Sequence, residues 1–281
     1  MKFDMSAAWS EATRMLAANR QVIAVVAGVF FFLPYVAFAL VFMNETAALE
    51  AARGAQPDAE RIGDAMADYY GSIWWVVVLL AVIQGIGLLA ILTLLTDRTR
   101  PTVAEAMKTG ARRLLPYLGA QLLVSVTLGI LILAAVAVGI ASSALAALVA
   151  AIVAAALVCY LFTKFLLTPP VIVVEGETNP ITAMTRSWQL TRGNSLRIFA
   201  FVFLIAVATL IIWTVVNMVV GVVLALGGAD AALLGQAIVS GLVNASFYVV
   251  FLGAMAATYR QLAGRAPAVT PKATESETRE P

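Results

Sequence analysis

The sequence predicts an all-α integral membrane protein with six transmembrane helices, arranged as three repeats of one interfacial amphipathic helix followed by a helical hairpin. Three observations predict this. Of the 281 residues, 62% are hydrophobic and only 12% charged, with a mean hydropathy of +0.95, which is too apolar for a surface that faces water. Six stretches each reach the ~20 apolar residues that a helix needs to cross about 30 Å of hydrocarbon. A short amphipathic pattern recurs just ahead of the first, third and fifth of them.

The six stretches cover about residues 22–43, 72–96, 117–140, 144–167, 198–226 and 232–259. They are expected as helices because lipid offers backbone N–H and C=O groups no partner outside the segment itself. The first exceeds the roughly 7–15 apolar residues of a secretory signal and follows a long amphipathic stretch, so it reads as a retained span. Pro34 should kink it. Only the weak break Gly139-Ile140-Ala141-Ser142-Ser143 separates the third from the fourth.

Orientation is expected from the basic residues, which collect in cytoplasmic loops. Arg14 and Arg20 precede the first span. Arg98, Arg100, Lys108, Arg112 and Arg113 lie between the second and third, Arg186, Arg192 and Arg197 between the fourth and fifth, and Arg260 and Arg265 after the sixth. The other side carries Glu45, Glu50, Asp58, Glu60, Asp64 and Asp68 against Arg53 and Arg61, with Asp230 in a short turn. Both ends therefore read as cytoplasmic, in a bacterial inner membrane. The acidic stretch 44–71 is expected to form two short helices broken at Gly54-Ala55-Gln56-Pro57. Tyr69, Tyr70, Trp74 and Trp75 sit where rings anchor at a membrane interface. Asn44-Glu45-Thr46 is a glycosylation triplet of low specificity. The Pro-, Thr- and Glu-rich tail 265–281 reads as disordered, so the domain is 1–264.

Aligning Ala8-Trp9 with Ala106-Met107 and Ala183-Met184 also brings Leu16 to Leu114 and Asn19 to Asn194. Met5, Ala8, Trp9, Ala12 and Leu16 make an apolar stripe opposite Asp4, Glu11 and Arg14. Thr102 with Glu105 forms a capping box after Pro101, and Asn179-Pro180 opens the third copy, which Gly193 closes. The repeat units are then about 3–96, 101–168 and 179–262. Interfacial helices of this kind set depth and orientation, and duplicated units can also frame a central site.

The stretch 170–176, Pro-Val-Ile-Val-Val-Glu-Gly, followed by Asn179-Pro180-Ile181-Thr182-Ala183-Met184-Thr185-Arg186-Ser187-Trp188-Gln189-Leu190-Thr191-Arg192-Gly193-Asn194, resembles an uncharacterised family of bacterial six-span inner-membrane proteins. That family is related to the membrane domain of some glycerophosphodiester phosphodiesterases. The resemblance implies the six-span layout over nearly the whole chain. It does not bring hydrolysis, which in those enzymes belongs to a separate soluble domain with histidines and metal-binding carboxylates.

The chemistry-bearing residues are few. The chain has no histidine and one cysteine, Cys159, so histidine bases, Ser-His and Cys-His pairs, and most zinc sites are excluded. No phosphate-binding glycine loop or nucleophile motif occurs, and no enzyme activity or cofactor is expected. Ionisable residues deep in a membrane are signs of ion coupling. Lys164 is the nearest, close enough to the end of its span to reach out of the membrane. Uncharged polar residues recur at helical spacing: Gln236, Ser240, Asn244 and Tyr248 on the sixth span, and Thr209, Trp213 and Asn217 on the fifth. Gln84 beside Gly85 and Gly87, and Gln121 with Ser125, add further positions. A tight hairpin places Asn217 at the depth of Ser240. The candidate intramembrane polar cluster is thus Gln84, Asn217, Gln236, Ser240, Asn244 and Tyr248, serving either as interhelical glue or as a lipid or solute path. Arg112, Arg113, Arg186 and Arg192 are candidate contacts for anionic lipid headgroups, although the positive-inside rule predicts the same charges.

The expected role is an accessory or scaffold in membrane or lipid-related physiology, with membrane lipids and a membrane protein as partners and no nucleic acid. A carrier or channel for a lipid or small amphiphile is the alternative.

Overall fold

The structure, a computed structural model, describes residues 2–42, 59–97, 101–141, 143–225 and 229–264. Its elements in chain order are α1 (Met5–Ala18), α2 (Arg20–Ala27), a π-helical turn (Gly28–Phe32), α3 (Leu33–Val41), α4 (Ala59–Thr96) and α5 (Val103–Ala141). They are followed by α6 (Ala144–Phe165), α7 (Thr168–Pro170), a second π-helical turn (Val171–Glu175), α8 (Pro180–Thr191), α9 (Ser195–Ala225) and α10 (Ala229–Ala263). Every described element is helical. Six segments are long and apolar enough to cross a membrane: Arg20–Val41, Gly63–Thr96, Val103–Ala141, Ala144–Glu175, Ser195–Val222 and Leu233–Ala263. They are spans one to six below.

Local signals account for the helix ends. Asp4 Oδ1 accepts from the Ala7 N–H at 3.0 Å and starts α1. Thr102 and Glu105 close the reciprocal capping box, with Glu105 Oε2 accepting from the Thr102 N–H at 2.8 Å and Thr102 Oγ1 from the Glu105 N–H at 3.3 Å. Asn179 Oδ1 accepts from the N–H groups of Ile181 and Thr182 ahead of α8. Gly193 takes φ 79°, a left-handed turn that any side chain would strain. Ser143 caps α6, so the weak break after Ala141 does separate two spans.

The structure departs from the expected layout in two places. The amphipathic segment ahead of span three is not a separate helix. Val103–Ala141 runs unbroken through Pro116, because no asparagine or left-handed glycine stands there like Asn19 and Gly193, which end the segments ahead of spans one and five. The second half of the acidic stretch is likewise no separate helix: α4 begins at Ala59 and continues into span two, with no proline between. The remaining expectations for 43–58, including the triplet at Asn44, and those for Arg98, Arg100 and the tail from Arg265 lie outside the described residues, as do the side chains of Glu60, Arg61 and Asp230.

Spans adjacent in sequence pack against each other, and span six also closes on span one and touches span two. Close approach depends on glycine: a Cβ on Gly87 would sit 2.3 Å from Phe30 Cβ, and one on Gly110 would lie 2.8 Å from the backbone oxygen of Ile86. In span one, Pro34 has no N–H to return to Phe30, and the chain relaxes through the π turn at Gly28–Phe32 directly before it. Phe31 of that turn is fully buried and stacks on Tyr248 with centroids 4.5 Å apart.

Burial is uneven along the bundle. Many of the enclosed side chains gather where α1 meets the last turns of α10: Phe3 just ahead of α1, Ala8 and Ala12 of α1, Leu89 to Leu92 of α4, Leu167, Val171 and Ile172, and Leu252, Ala256 and Ala257 of α10. This is the terminal side. Away from it, spans three and four expose Ile130, Leu133, Ile140, Leu145, Leu148 and Ile152, as a lipid-facing surface would. Tyr70, Trp74 and Trp75 are also exposed near the far end of span two.

Candidate functional site

The terminal side is joined by polar contacts between residues far apart in sequence. Asn194 Oδ1 accepts from the Phe3 N–H at 2.8 Å, and Gln261 Nε2 donates to the Asp4 carbonyl at 3.2 Å. Arg260 Nη1 lies 3.1 Å from Glu11 Oε1, and Glu11 also pairs with Arg14. Glu175, in the turn that ends span four, takes Arg186 Nε at 3.1 Å on both carboxylate oxygens and the Tyr259 hydroxyl at 3.0 Å. Together these bonds tie α1, α8, α9, α10 and the end of span four into one layer.

Span four breaks inside this layer. Pro169 and Pro170 supply no N–H for the i→i−4 bond, so the carbonyls of Phe165 and Leu166 lose that partner and the helix ends. Ser187 of α8, fully buried, bridges the break: its hydroxyl donates to the Lys164 carbonyl at 2.7 Å and accepts from the Leu167 N–H at 3.1 Å. Lys164 does not extend outward from the protein as a side chain reaching for water would. It is only 3% exposed, and its ammonium lies over the rings of Tyr160 and Trp188 at 5.3 and 5.1 Å from their centroids, because α8 folds back over it.

A cavity of about 210 Å³ opens beside the break, between spans two, three, four and six. Its apolar wall includes Leu88, Phe162, Phe165, Phe251 and Met255, and its polar side chains are Tyr117, Gln121, Ser125 and Thr168. Thr168 is 4% exposed, and its hydroxyl is a buried side-chain polar atom with no hydrogen-bond partner among the described residues.

The six candidate polar residues divide. Asn217 Oδ1 accepts from Ser240 Oγ at 3.0 Å and from Gln236 Nε2, while Gln236 also reaches Ser240 at 3.4 Å. Asn244 instead lines a shallow groove of about 250 Å³ with Tyr35, Thr209 and Trp213. Tyr248 packs on Phe31. Gln84 is half-buried on α4 and makes no side-chain hydrogen bond among the described residues.

The four arginines divide as well. Arg113 donates to the Gly176 carbonyl at 2.5 Å, and Arg186 holds Glu175. Arg112 and Arg192 are exposed, and no ion pair engages either among the described residues. No group of three or more His, Cys, Asp or Glu side chains that could hold a metal ion occurs among the described residues.

A family model described as a domain of unknown function, DUF7847, matches residues 5–262, which is most of the chain. The chain belongs to the DUF7847 family. No curated protein and no solved structure matches it.

In this DUF7847 protein, the residues that organise the terminal side are only partly legible in the sequence. Asn194 stands out by its alignment with Asn19 and Arg186 as a candidate headgroup contact. Ser187, Thr168 and Glu175 stand out by neither pattern nor charge placement. The one local signal was Thr168-Pro169-Pro170 at the end of an apolar run, since two consecutive prolines must end a helix and strip donors from it.

Proposed function

We propose that this DUF7847 protein is a non-catalytic scaffold of the bacterial inner membrane, with both ends in the cytoplasm and an accessory role in membrane or lipid-related physiology. The observation that carries the reading is the bonded layer at the terminal side. A carrier that works by alternating access has to open each side in turn. Here Phe3–Asn194, Asp4–Gln261, Glu11–Arg260 and the Glu175 contacts would all have to break. A fixed platform that presents α1 and α8 to another membrane protein has no such requirement.

The three-unit layout supports the same reading as a duplicated framework, with α1, the first turns of α5 and α8 as equivalent elements. A relation to the membrane domain of glycerophosphodiester phosphodiesterases belongs to the proposal too, and it would place the protein near lipid metabolism without giving it hydrolysis.

The test is co-purification of the tagged full chain in mild detergent with identification of bound proteins by mass spectrometry, and with a C-terminal fluorescent reporter to establish the side of the tail. A stoichiometric membrane protein, lost when α1 is deleted or the exposed face of α8 is recharged, is the expected result. No partner, or a partner indifferent to both changes, overturns the reading.

The groove at Asn244 supports a second reading, a carrier or channel for a lipid or small amphiphile along spans five and six. Replacing Asn217 and Asn244 with leucine would then abolish flux in reconstituted vesicles, and unchanged flux would reject it.

A further inference from the structure

We propose that the cavity at the break of span four binds the glycerol–ester end of a neutral acylglycerol, a diacylglycerol-class lipid, while its acyl chains remain in the bilayer. This inference is independent of the scaffold reading.

Four features lead to it. First, a residue of the cavity wall carries an unmet polar group. Thr168 is 96% buried, and its hydroxyl has no partner among the described residues, whereas buried side-chain hydroxyls almost always find one. Tyr117, Gln121 and Ser125 line the same space, and their side chains make no hydrogen bond among the described residues. Three hydroxyls and one carboxamide offer both donors and acceptors. Ester carbonyls only accept and a free glycerol hydroxyl does both, so this set matches an acylglycerol end.

Second, the rest of the wall is apolar, formed by Leu88, Phe162, Phe165, Phe251 and Met255 among others. Third, a volume of about 210 Å³ is below the ~300–1,000 Å³ of pockets that enclose whole drug-sized ligands. The site therefore suits one end of a lipid. Gln121, Ser125 and Phe162 are exposed at its edge between spans three and four, which leaves chains an exit to the membrane.

Fourth, charge favours a neutral lipid. No Lys, Arg, Asp or Glu lines the cavity. The nearby cations are engaged elsewhere: Arg113 with Gly176, Arg186 with Glu175, and Lys164 under Tyr160 and Trp188. A phosphate or a free carboxylate placed there would be a buried, unpaired charge.

The experiment is native mass spectrometry of the full chain, purified in detergent and incubated with equimolar dioleoylglycerol and dioleoylphosphatidylglycerol. The wild-type protein should retain one dioleoylglycerol in preference to the phospholipid. Thr168→Val preserves side-chain shape and removes an unpartnered hydroxyl, so it should fold as well as the wild type. Combined with Gln121→Leu it should lower retention about tenfold at an unchanged melting temperature. Ser125→Ala, at the exposed edge, should lower retention independently, so the test does not depend on the double variant. Retention of phosphatidylglycerol in place of dioleoylglycerol, or equal retention of dioleoylglycerol by wild type and all variants, would overturn the proposal.

Discussion

The Tyr259 hydroxyl donates to Glu175 Oε1 at 3.0 Å and so joins the end of span six to the turn that ends span four. Arg186 of α8 meets the same carboxylate with Nε at 3.1 Å from each oxygen. One acidic side chain thereby fastens three segments, and Gly176, directly after it, adds a fourth by taking Arg113 on its carbonyl.

Glu175→Leu removes both interactions and leaves Arg186 without its acid. Hydrogen bonds to charged groups contribute about 1.5–3 kcal/mol, but Arg186 and Glu175 are 20% and 30% exposed, and solvent screening lowers the value of such a pair. A loss of about 1–2 kcal/mol is expected, read as a lower melting temperature in detergent. Tyr259→Phe should cost less, since it leaves the ion pair intact. An unchanged melting temperature in Glu175→Leu would mean that packing alone holds the layer.

Gly110 tests packing rather than polarity. A Cβ there would lie 2.8 Å from the Ile86 carbonyl oxygen and 3.3 Å from the Ala90 nitrogen, both backbone atoms that cannot swing aside. Gly110→Ala should force spans two and three apart at about 1–3 kcal/mol. Gly129→Ala, in the same helix with nothing within 4 Å of the added carbon, should be neutral or slightly stabilising through helix propensity. Equal melting temperatures for the two variants would contradict the close approach of α4 and α5.

The contrast between these glycines explains how much could be read in advance. Span existence and the capping signals at Thr102 and Asn179 depend on local composition and short-range geometry, and were legible. The polar residues of spans five and six were legible as a periodic row, but the row did not reveal that Asn217 would pair with Gln236 and Ser240 while Asn244 and Tyr248 turned to other neighbours. Those choices depend on helix rotation, which lipid-facing sequence does not specify. The continuous α5 is not legible in the recurring amphipathic pattern, which implies a break where the chain carries Pro116-Tyr117 in place of an asparagine or a left-handed glycine. Thr168 is not legible because its isolation arises from neighbours contributed by four different spans.

Asn217 and Ser240 provide a double-mutant cycle within the bilayer. Their side chains meet at 3.0 Å, and bonds of this type between transmembrane helices are worth on the order of 0.6–2 kcal/mol. Asn217→Leu and Ser240→Ala should each lower stability, and the double variant should fall short of their sum by a coupling energy in that range. Unfolding in mixed micelles measures it. Simple additivity would show that the two residues do not share a bond, and would return both to the set free to line a path.

Lys164 separates burial from charge. The side chain is almost wholly enclosed, with aromatic faces as the partners its ammonium shows. Cation–π contacts supply about 0.5–2 kcal/mol, whereas an ammonium withdrawn from water without a carboxylate costs several. Lys164→Met keeps the length and apolar stem while removing that cost, so the variant should match or exceed the wild-type melting temperature. Trp188→Leu should do the opposite: Trp188 also packs on Phe165 and Tyr160, and losing a large aromatic ring from a packed site costs about 3–5 kcal/mol on full truncation to alanine, less with leucine. A clear loss of stability in Lys164→Met would mean that the ammonium has an anionic partner in the membrane, and phosphate titration of the purified wild type, which should then raise its melting temperature and not that of the variant, would identify the chemistry of that partner.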